Sequence, residues 1–303
     1  MVRAITRNPN KKEIKELKLL GAEIVKADLD NEKTLFDAMK DVYGVFLVTD
    51  YWEQMDKDKE TEQGKRVADI SRILDVKHIV FSGLENVKKL TNGKLDVPHF
   101  DGKGELEDYF RELGSPMTSV RMPDYFENFL DIFKPVKSDK GYYVLDIPME
   151  GIPLDGMSVR DLGEVVLAIL KNPEEHIGKE IGLSTDKLTI DEYAAIMSKH
   201  TGKIIKASKV VEVHGRISLL GFMKTVEIII GTWKIDVDQE DIRKVMENWT
   251  LSSKEISGKI IYQALLLSPL HSSVTGTARA EWGYLIPSNY VQEVIINIQT
   301  IQI

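Results

Sequence analysis

Two hydrophobic periods alternate along residues 2–203, one suited to buried strands and one to amphipathic helices. Met1-Val-Arg-Ala-Ile-Thr-Arg-Asn-Pro-Asn-Lys-Lys12 predicts a short strand running into a polar, basic loop and then a helix. Ile14, Leu17, Leu19 and Leu20 recur among lysines and glutamates at helical spacing, and Gly21 is placed to end that helix. Ala22–Ala27 predicts a second strand with Asp28-Leu29-Asp30 at its carboxyl end, followed by a helix over Asn31–Met39. Tyr43–Val48 is an apolar strand of the buried parallel type. Asp56–Leu74 predicts a long helix with Val67, Ile70, Ile73 and Leu74 facing inward, and His78–Ser82 the next strand. A long loop over Gly83–Asp101 is expected, then a helix over Gly104–Leu113, a strand over Met117–Arg121 and a helix over Pro123–Phe133. Tyr142–Ile147 and Gly151–Met157 suggest a hairpin outside the main sheet. Helices are expected over Val159–Leu170 and Thr189–His200, the second opened by a capping box of Thr189 and Glu192.

Strands alternating with helices of this length mean βαβ units, hence an α/β fold with a doubly wound, Rossmann-type parallel sheet and right-handed crossovers. The pattern divides the chain into a dinucleotide-binding domain over 1–134, a smaller α/β lobe over 135–203 and a segment of different character over 204–303. Residues 260–303 hold only Arg279, Glu281 and Glu293 as charges, against 29% charged residues in the whole chain. That tail is β-prone and weakly defended against aggregation unless it packs into the body.

A net charge of -8 argues against a general nucleic-acid or anionic-membrane surface, while leaving room for a local basic pocket. The chain has no cysteine, which excludes disulfides, thiolate metal sites and a cysteine nucleophile, and makes a cytosolic or nuclear setting the simplest inference. No apolar run reaches the roughly 18 residues of a membrane span.

In this fold ligands bind at the carboxyl ends of the strands. Those ends are Thr6-Arg7-Asn8, Asp28-Leu29, Thr49-Asp50-Tyr51, Ser82-Gly83 and Tyr125-Phe126-Glu127-Asn128. Taken singly each suits a turn or a cap; together, in chain order, they favour a cofactor site. An acid at the end of the second strand of such a fold accepts from a free 2′-hydroxyl, whereas an arginine pairs with a 2′-phosphate, so Arg7 argues for NADP(H).

The same stretches, with Thr6-Arg-Asn-Pro9, Thr49-Asp-Tyr-Trp-Glu53, Phe81-Ser-Gly-Leu-Glu-Asn86, His99-Phe-Asp-Gly-Lys-Gly-Glu105, Met117–Arg121, Asp155–Val159 and Ile181–Thr185, resemble the NmrA-like family of atypical short-chain dehydrogenases over roughly residues 2–203. The resemblance implies an NADPH-responsive redox sensor. It assigns NADP(H) contacts to Arg7, Asn8, Pro9, Asn10, Lys11, Asp28, Leu29, Thr49, Asp50, Tyr51, Lys103, Tyr125, Phe126, Glu127 and Asn128. It also implies protein partners, argininosuccinate synthase and components of inflammatory signalling among them, and leaves homodimerisation open. Neither nucleic acid nor membrane is expected as a partner, and the expected location is cytoplasmic, with nuclear or perinuclear residence also allowed.

The sequence departs from the family in three places. A first strand with its glycine-rich turn takes about 30 residues with the following helix, and only five residues precede Thr6. A family lysine is replaced by Glu62, and the family pattern is lost beyond about Lys203. Weaker cofactor binding is therefore expected, as is a sheet incomplete at its central strand. Val226–Ile230 and Val291–Ile303 are the candidate segments to fill that slot.

Reductases of the short-chain type use Ser with Tyr-x-x-x-Lys, the lysine lowering the tyrosine pKa for proton exchange with a carbonyl. None of the ten tyrosines is followed by lysine four residues on. Ser82 and Lys103 stand where the serine and lysine would, with His99 in the tyrosine position. The expectation is thus a non-catalytic sensor with no catalytic residues. The alternatives are an NADPH-dependent oxidoreductase using Ser82, His99 and Lys103, and a cofactor-free interaction protein. The six histidines lack metal-ligand spacing, and Gly102-Lys103-Gly104 lacks the frame of a P-loop. Tyr125, Phe126, Phe129 and Phe133 form an apolar face expected to lie in the core, and Lys88, Lys89 and Lys94 a solvated one.

Overall fold

The computed structural model describes residues 1–130, 132–147, 149, 151–208 and 294–297. The chain opens with β1 (Val2–Thr6) and α1 (Lys12–Leu19). Ile14 is buried, but Leu19 and Leu20 are 87% and 68% exposed. At ~100° per residue they point about 140° and 120° away from Ile14, off the apolar stripe. β2 (Glu23–Lys26) and α2 (Glu32–Met39) follow, α2 capped by Asn31, whose side chain accepts from the Thr34 amide. β3 (Gly44–Leu47) is buried at all four positions. α3 (Lys57–Ile73), capped by Asp56, buries Val67, Ala68 and Ile70 but leaves Ile73, at its last position, exposed.

After β4 (His78–Ser82) the expected long loop is shorter and more ordered than its composition suggests. It holds α4 (Val87–Leu90), and α5 runs over Pro98–Glu112, starting six residues before the expected Gly104. Pro98 sits in the first turn, where a missing N–H is harmless. Asp101, 1% exposed, accepts from the Lys88 amide at 2.9 Å and the Val97 amide at 2.7 Å, fixing both ends of the connection. Gly104 lets α5 pass at backbone contact: a Cβ there would lie 2.5 Å from the Asn86 amide nitrogen. β5 is Met117–Arg121.

The expected helix over Pro123–Phe133 is instead β6 (Asp124–Tyr125) followed by a 3₁₀ turn, Phe126–Leu130. Asp124 and Tyr125 are taken into a sheet by Gly156 and Met157, so strand pairing overrides helix propensity. Then come β7 (Val136–Lys137), β8 (Tyr143–Leu145) and β9 (Leu154–Met157), and α6 (Leu162–Lys171) preceded by a 3₁₀ turn at Val159–Asp161. α7 (Pro173–His176), β10 (Glu180–Gly182), β11 (Asp186–Leu188), α8 (Ile190–Thr201), β12 (Ile205–Ala207) and β13 (Val294–Asn297) complete the described elements. The Thr189–Glu192 capping box is formed on α8. The expected hairpin is not: β8 pairs with β12 and β7, and β9 with β11 and β6.

Two compact units interleave along the sequence, where the hydropathy pattern expected consecutive domains 1–134, 135–203 and 204–303. The first comprises Met1–Arg121 and Glu164–Ile181 with β13; the second comprises, among the described residues, Met122–Gly163 and the stretch 182–208. In the first unit the sheet runs β10-β5-β4-β3-β13-β1-β2. Between β5 and β2 this is the doubly wound order, with β13 at the position of that order's first strand.

The sheet is therefore continuous, and the expected gap at its centre is filled. β13 pairs parallel with β1 on one side, Val2 opposite Val294, and with β3 on the other, Gly44 opposite Val294. Left open, those facing edges would strand buried N–H and C=O groups at roughly 1–3 kcal/mol each. Of the two candidate segments, Val291–Ile303 supplies the strand through its residues 294–297; Val226–Ile230 lies outside the described residues.

The core of this unit joins Leu35, Leu47, Val67, Ile79, Phe81, Leu106 and Phe110 among others. Full burial of each such side chain contributes ~1.5–3 kcal/mol. The second unit has its own core, in which Phe126, Phe129 and Phe133 pack with Leu145, Met197 and Tyr193. Tyr125 stays outside it, 38% exposed. Lys88, Lys89 and Lys94 are exposed.

Candidate functional site

The carboxyl end of β1 folds back on itself. The Thr6 hydroxyl accepts from the Asn8 amide at 3.2 Å, Asn8 Oδ1 from the Asn10 amide at 3.1 Å, and the Asn8 carbonyl from the Lys11 amide at 3.3 Å. This turn carries Arg7, Asn8, Asn10 and Lys11 to the surface and half-buries Pro9. Arg7 pairs through Nη2 with Glu53 Oε1, which comes from the loop after β3. β1 and β3 flank β13, so this ion pair spans the strands on either side of the central one.

At the end of β2, Asp28 Oδ1 accepts from the Asp30 amide at 3.0 Å, and the Asp28 amide donates to Thr34 Oγ1 at 3.3 Å. Leu29 is buried, and its carbonyl accepts from Arg66 on α3. Glu62, which stands where the resemblance expects a lysine, has a largely exposed side chain paired with Arg66 one turn along α3, at 3.0 Å.

The end of β3 meets α3 and α5. Lys103 Nζ lies 2.8 Å from the Thr49 carbonyl, 2.8 Å from Thr49 Oγ1 and 2.9 Å from Glu60 Oε1. Three ammonium hydrogens thus meet three acceptors within the protein. Thr49 Oγ1 donates its own hydrogen to Glu60 Oε1 at 2.7 Å, which closes the network. Glu60 is 2% exposed and its Oε2 has no hydrogen-bond partner among the described residues. Asp50 Oδ1 accepts from the Trp52 amide at 2.9 Å, and the Tyr51 carbonyl from the Met55 amide at 2.7 Å.

Beside this network the His99 ring lies 5.6 Å from Tyr51 and 4.9 Å from Trp52, centroid to centroid. Burial, with Lys103's positive charge adding to it, lowers the His99 pKa to about 4. His99 is therefore a neutral imidazole at pH 7. In that state the ring carries one N–H donor and one acceptor nitrogen and no positive charge.

A second network links α5, β5 and β10. Glu107, 1% exposed, accepts from Arg121 Nη2 at 2.6 Å and Arg111 Nη2 at 3.0 Å, and also from the Ser119 hydroxyl. Burial pushes the Glu107 carboxyl up, opposed chiefly by Arg121. Arg121 reaches on to Glu85 at 3.2 Å and Glu180 at 2.8 Å, tying β10 to β5.

Of the residues assigned to NADP(H), Arg7, Asn8, Pro9, Asn10, Lys11, Asp28, Leu29, Thr49, Asp50, Tyr51 and Lys103 all stand in the first unit, at or beside the ends of β1, β2 and β3. Tyr125, Phe126, Glu127 and Asn128 belong to the second. There Phe126 is core, Glu127 accepts from the Ser158 hydroxyl at 2.6 Å and the Val159 amide at 3.1 Å, and Asn128 donates to Asp124 at 2.8 Å. Sequence reasoning passed over Glu53 and Glu60. Each is a lone acid in a charged stretch, and its cationic partner lies more than forty residues away. Among the described residues no group of His, Cys, Asp and Glu forms a metal site, and no helix is long and apolar enough to cross a membrane.

Known proteins agree with this architecture. A model of the NmrA-like family matches residues 1–229. An NmrA-like family domain-containing protein of Dictyostelium discoideum is 36% identical over 210 residues, 66% of this chain and 68% of that protein. The NmrA-like family domain-containing oxidoreductase FrzB of Cladobotryum sp. is 29% identical over 240 residues, 71% of each. Among solved structures, NmrA, a negative transcriptional regulator, in complex with NADP superposes with a TM-score of 0.66 at 19% identity, covering 85% of this chain and 89% of that one. The same regulator has been solved with NAD, at a TM-score of 0.67.

Proposed function

The chain belongs to the NmrA-like family, and from that premise we propose that it is a regulatory protein that senses NADP(H) without turning it over. The observation that carries this reading is the state of the would-be catalytic pair. Lys103 is fully engaged by Thr49 and Glu60, and His99 is neutral. A reductase needs a group poised to give up a proton at that position.

The residues present fit one end of the cofactor better than the other. The basic turn with Arg7 and Lys11 suits an adenosine 2′-phosphate, and Arg7 offers a planar donor fork. A pyrophosphate needs backbone amides at a glycine turn or helix N-terminus. Among the described residues no strand of the sheet leads into such a turn, and the amides of Asn8, Asn10 and Lys11 are spent within their own loop. Bound NADPH would supply a reducing nicotinamide; on this reading the protein uses it only as a signal. Binding acts by population shift, which requires the cofactor to favour one state of the protein over another. Partners of the kind the family resemblance implies, argininosuccinate synthase and inflammatory-signalling proteins, would read that state.

Relatives named as oxidoreductases support a second reading, in which Ser82, His99 and Lys103 serve an NADPH-dependent reduction. One experiment separates the two: calorimetric titration of the purified protein with NADPH, beside an assay of NADPH consumption with carbonyl and quinone substrates. Micromolar binding without turnover supports the sensor. Turnover that disappears in His99→Phe supports the enzyme, and no binding to folded protein leaves a cofactor-free interaction protein.

A further inference from the structure

Glu53 carries a role that nothing in the family assignment gives it. The loop after β3 holds it firmly. The Tyr51 carbonyl accepts from the Gln54 amide at 3.3 Å and the Met55 amide at 2.7 Å, the Asp50 carboxylate from the Trp52 amide at 2.9 Å, and Met55 turns the chain at φ 52°. From that turn Glu53 reaches the guanidinium of Arg7, the residue suited to a 2′-phosphate. Both side chains remain partly in water, 41% exposed for Arg7 and 32% for Glu53, so each can turn to a ligand without a large desolvation penalty.

The two residues ask for opposite chemistry at the same ribose. A guanidinium favours a phosphate monoester, which carries close to two negative charges at neutral pH. A carboxylate repels that phosphate and accepts hydrogen bonds from a free 2′,3′-diol, the role that an acid at the end of the second strand plays for NAD(H). Here the acid comes from the β3 loop across the central strand and meets an arginine on the β1 side.

We infer that Glu53 is a specificity-determining residue that weakens the preference for NADP(H) and admits NAD(H) to the same site. The inference rests on the dinucleotide-binding reading above and goes beyond it by naming the residue that sets the choice.

The test uses the full chain, with affinities for NADPH, NADH and the fragments adenosine 2′,5′-bisphosphate and adenosine 5′-monophosphate measured on wild type, Glu53→Gln and Arg7→Ala. Glutamine keeps the length and an acceptor for Arg7 but removes the charge. Exposed ion pairs of this kind carry coupling worth about two- to fivefold in affinity. Glu53→Gln should therefore bind NADPH and the bisphosphate about two- to fivefold more tightly and NADH more weakly, while Arg7→Ala should lose the advantage of the 2′-phosphate. An unchanged NADPH-to-NADH ratio in a Glu53→Gln protein that still binds both overturns the role of Glu53 and leaves the dinucleotide reading standing. Arg7→Ala retaining full preference for the 2′-phosphate overturns it as well. If wild type and Glu53→Gln bind none of the four probes, the dinucleotide reading itself falls.

Discussion

Lys103 Nζ sits 2.9 Å from Glu60 Oε1, with 12% of one side chain and 1% of the other exposed to water. This pair ties α5 to α3 just where β3 ends. Breaking a buried pair from one side leaves an uncompensated charge, and this costs roughly 3–5 kcal/mol. Lys103→Met should lose stability on that scale in urea unfolding, and Glu60→Gln in the same background should recover much of it. A simple sum of the two single losses would show that the pair is not coupled.

Acid should weaken the first unit through its histidines. The Thr118 hydroxyl donates to the His176 carbonyl at 2.7 Å, so its oxygen accepts from His78 Nε2–H at 2.8 Å. His78 Nδ1 is buried with no hydrogen-bond partner among the described residues. Burial lowers both the His78 and the His99 pKa from 6.5 to about 4. Between those values the unfolded chain binds more protons than the folded one. The stabilisation is therefore complete above about pH 6.5 and is lost as pH falls toward 4, by about 3 kcal/mol for His78. Urea midpoints across that window should fall less steeply in His78→Gln.

Asp124 has the opposite sign. Burial raises its pKa from 3.8 to about 7, against the hydrogen bond from Asn128. Its folded carboxyl keeps a proton that the unfolded chain releases, so its contribution grows as pH falls from 7 and is absent at higher pH. Asp124→Asn resembles the protonated form and keeps an oxygen for Asn128. It should raise the thermal midpoint at pH 8 and leave it unchanged near pH 4.

Two glycines on the helices that carry Glu60 and Lys103 should respond differently to alanine. A Cβ on Gly104 meets the Asn86 backbone at 2.5 Å, whereas the nearest atoms to one on Gly64 are those of the Leu106 side chain, from 2.4 Å. The Gly64 contact is with the end of a side chain, which is itself fully buried, whereas the Gly104 contact is with backbone. Gly104→Ala should cost about 1–3 kcal/mol or more, and Gly64→Ala distinctly less, in parallel denaturation curves.

The central strand makes the sharpest prediction. Ile295 stands opposite Arg3 on β1 and Val45 on β3. Proline there removes a ladder hydrogen bond from the middle of a parallel sheet, a position proline does not occupy. Ile295→Pro should strip hydrogen-exchange protection from Val2–Thr6 and Gly44–Leu47 while α8 keeps its own. Equal protection in all three would mean that β13 contributes nothing to the sheet.

What was legible in the sequence was what local periodicity encodes. β1 to β5, the long helix α3 and the capping box at Thr189 all follow from spacing over a few residues. The early start of α5 was hidden because Asp101, Gly102 and Gly104 have loop composition; each is there for a tertiary reason, a buried carboxylate or a close approach. The pairing of β8 with β12, and of β9 with β11 and β6, depends on distant partners that no window contains. At the site, Arg7 and Lys103 were visible as cations, while their counter-ions Glu53 and Glu60 were not. An acid in a charged stretch declares its role only once the chain has brought its partner to it.

Placing β13 between β1 and β3 also sets the order in which this protein can fold. Val2 pairs with Val294, so a contact at the heart of the sheet joins opposite ends of the described chain. During synthesis the β1–β2 edge and the β3–β4–β5 block emerge first and have no direct partner in each other. Until β13 is made, the edges it joins lack the partner they have in the finished sheet. Long-range closure of this kind slows folding and lengthens the exposure of sticky strand edges.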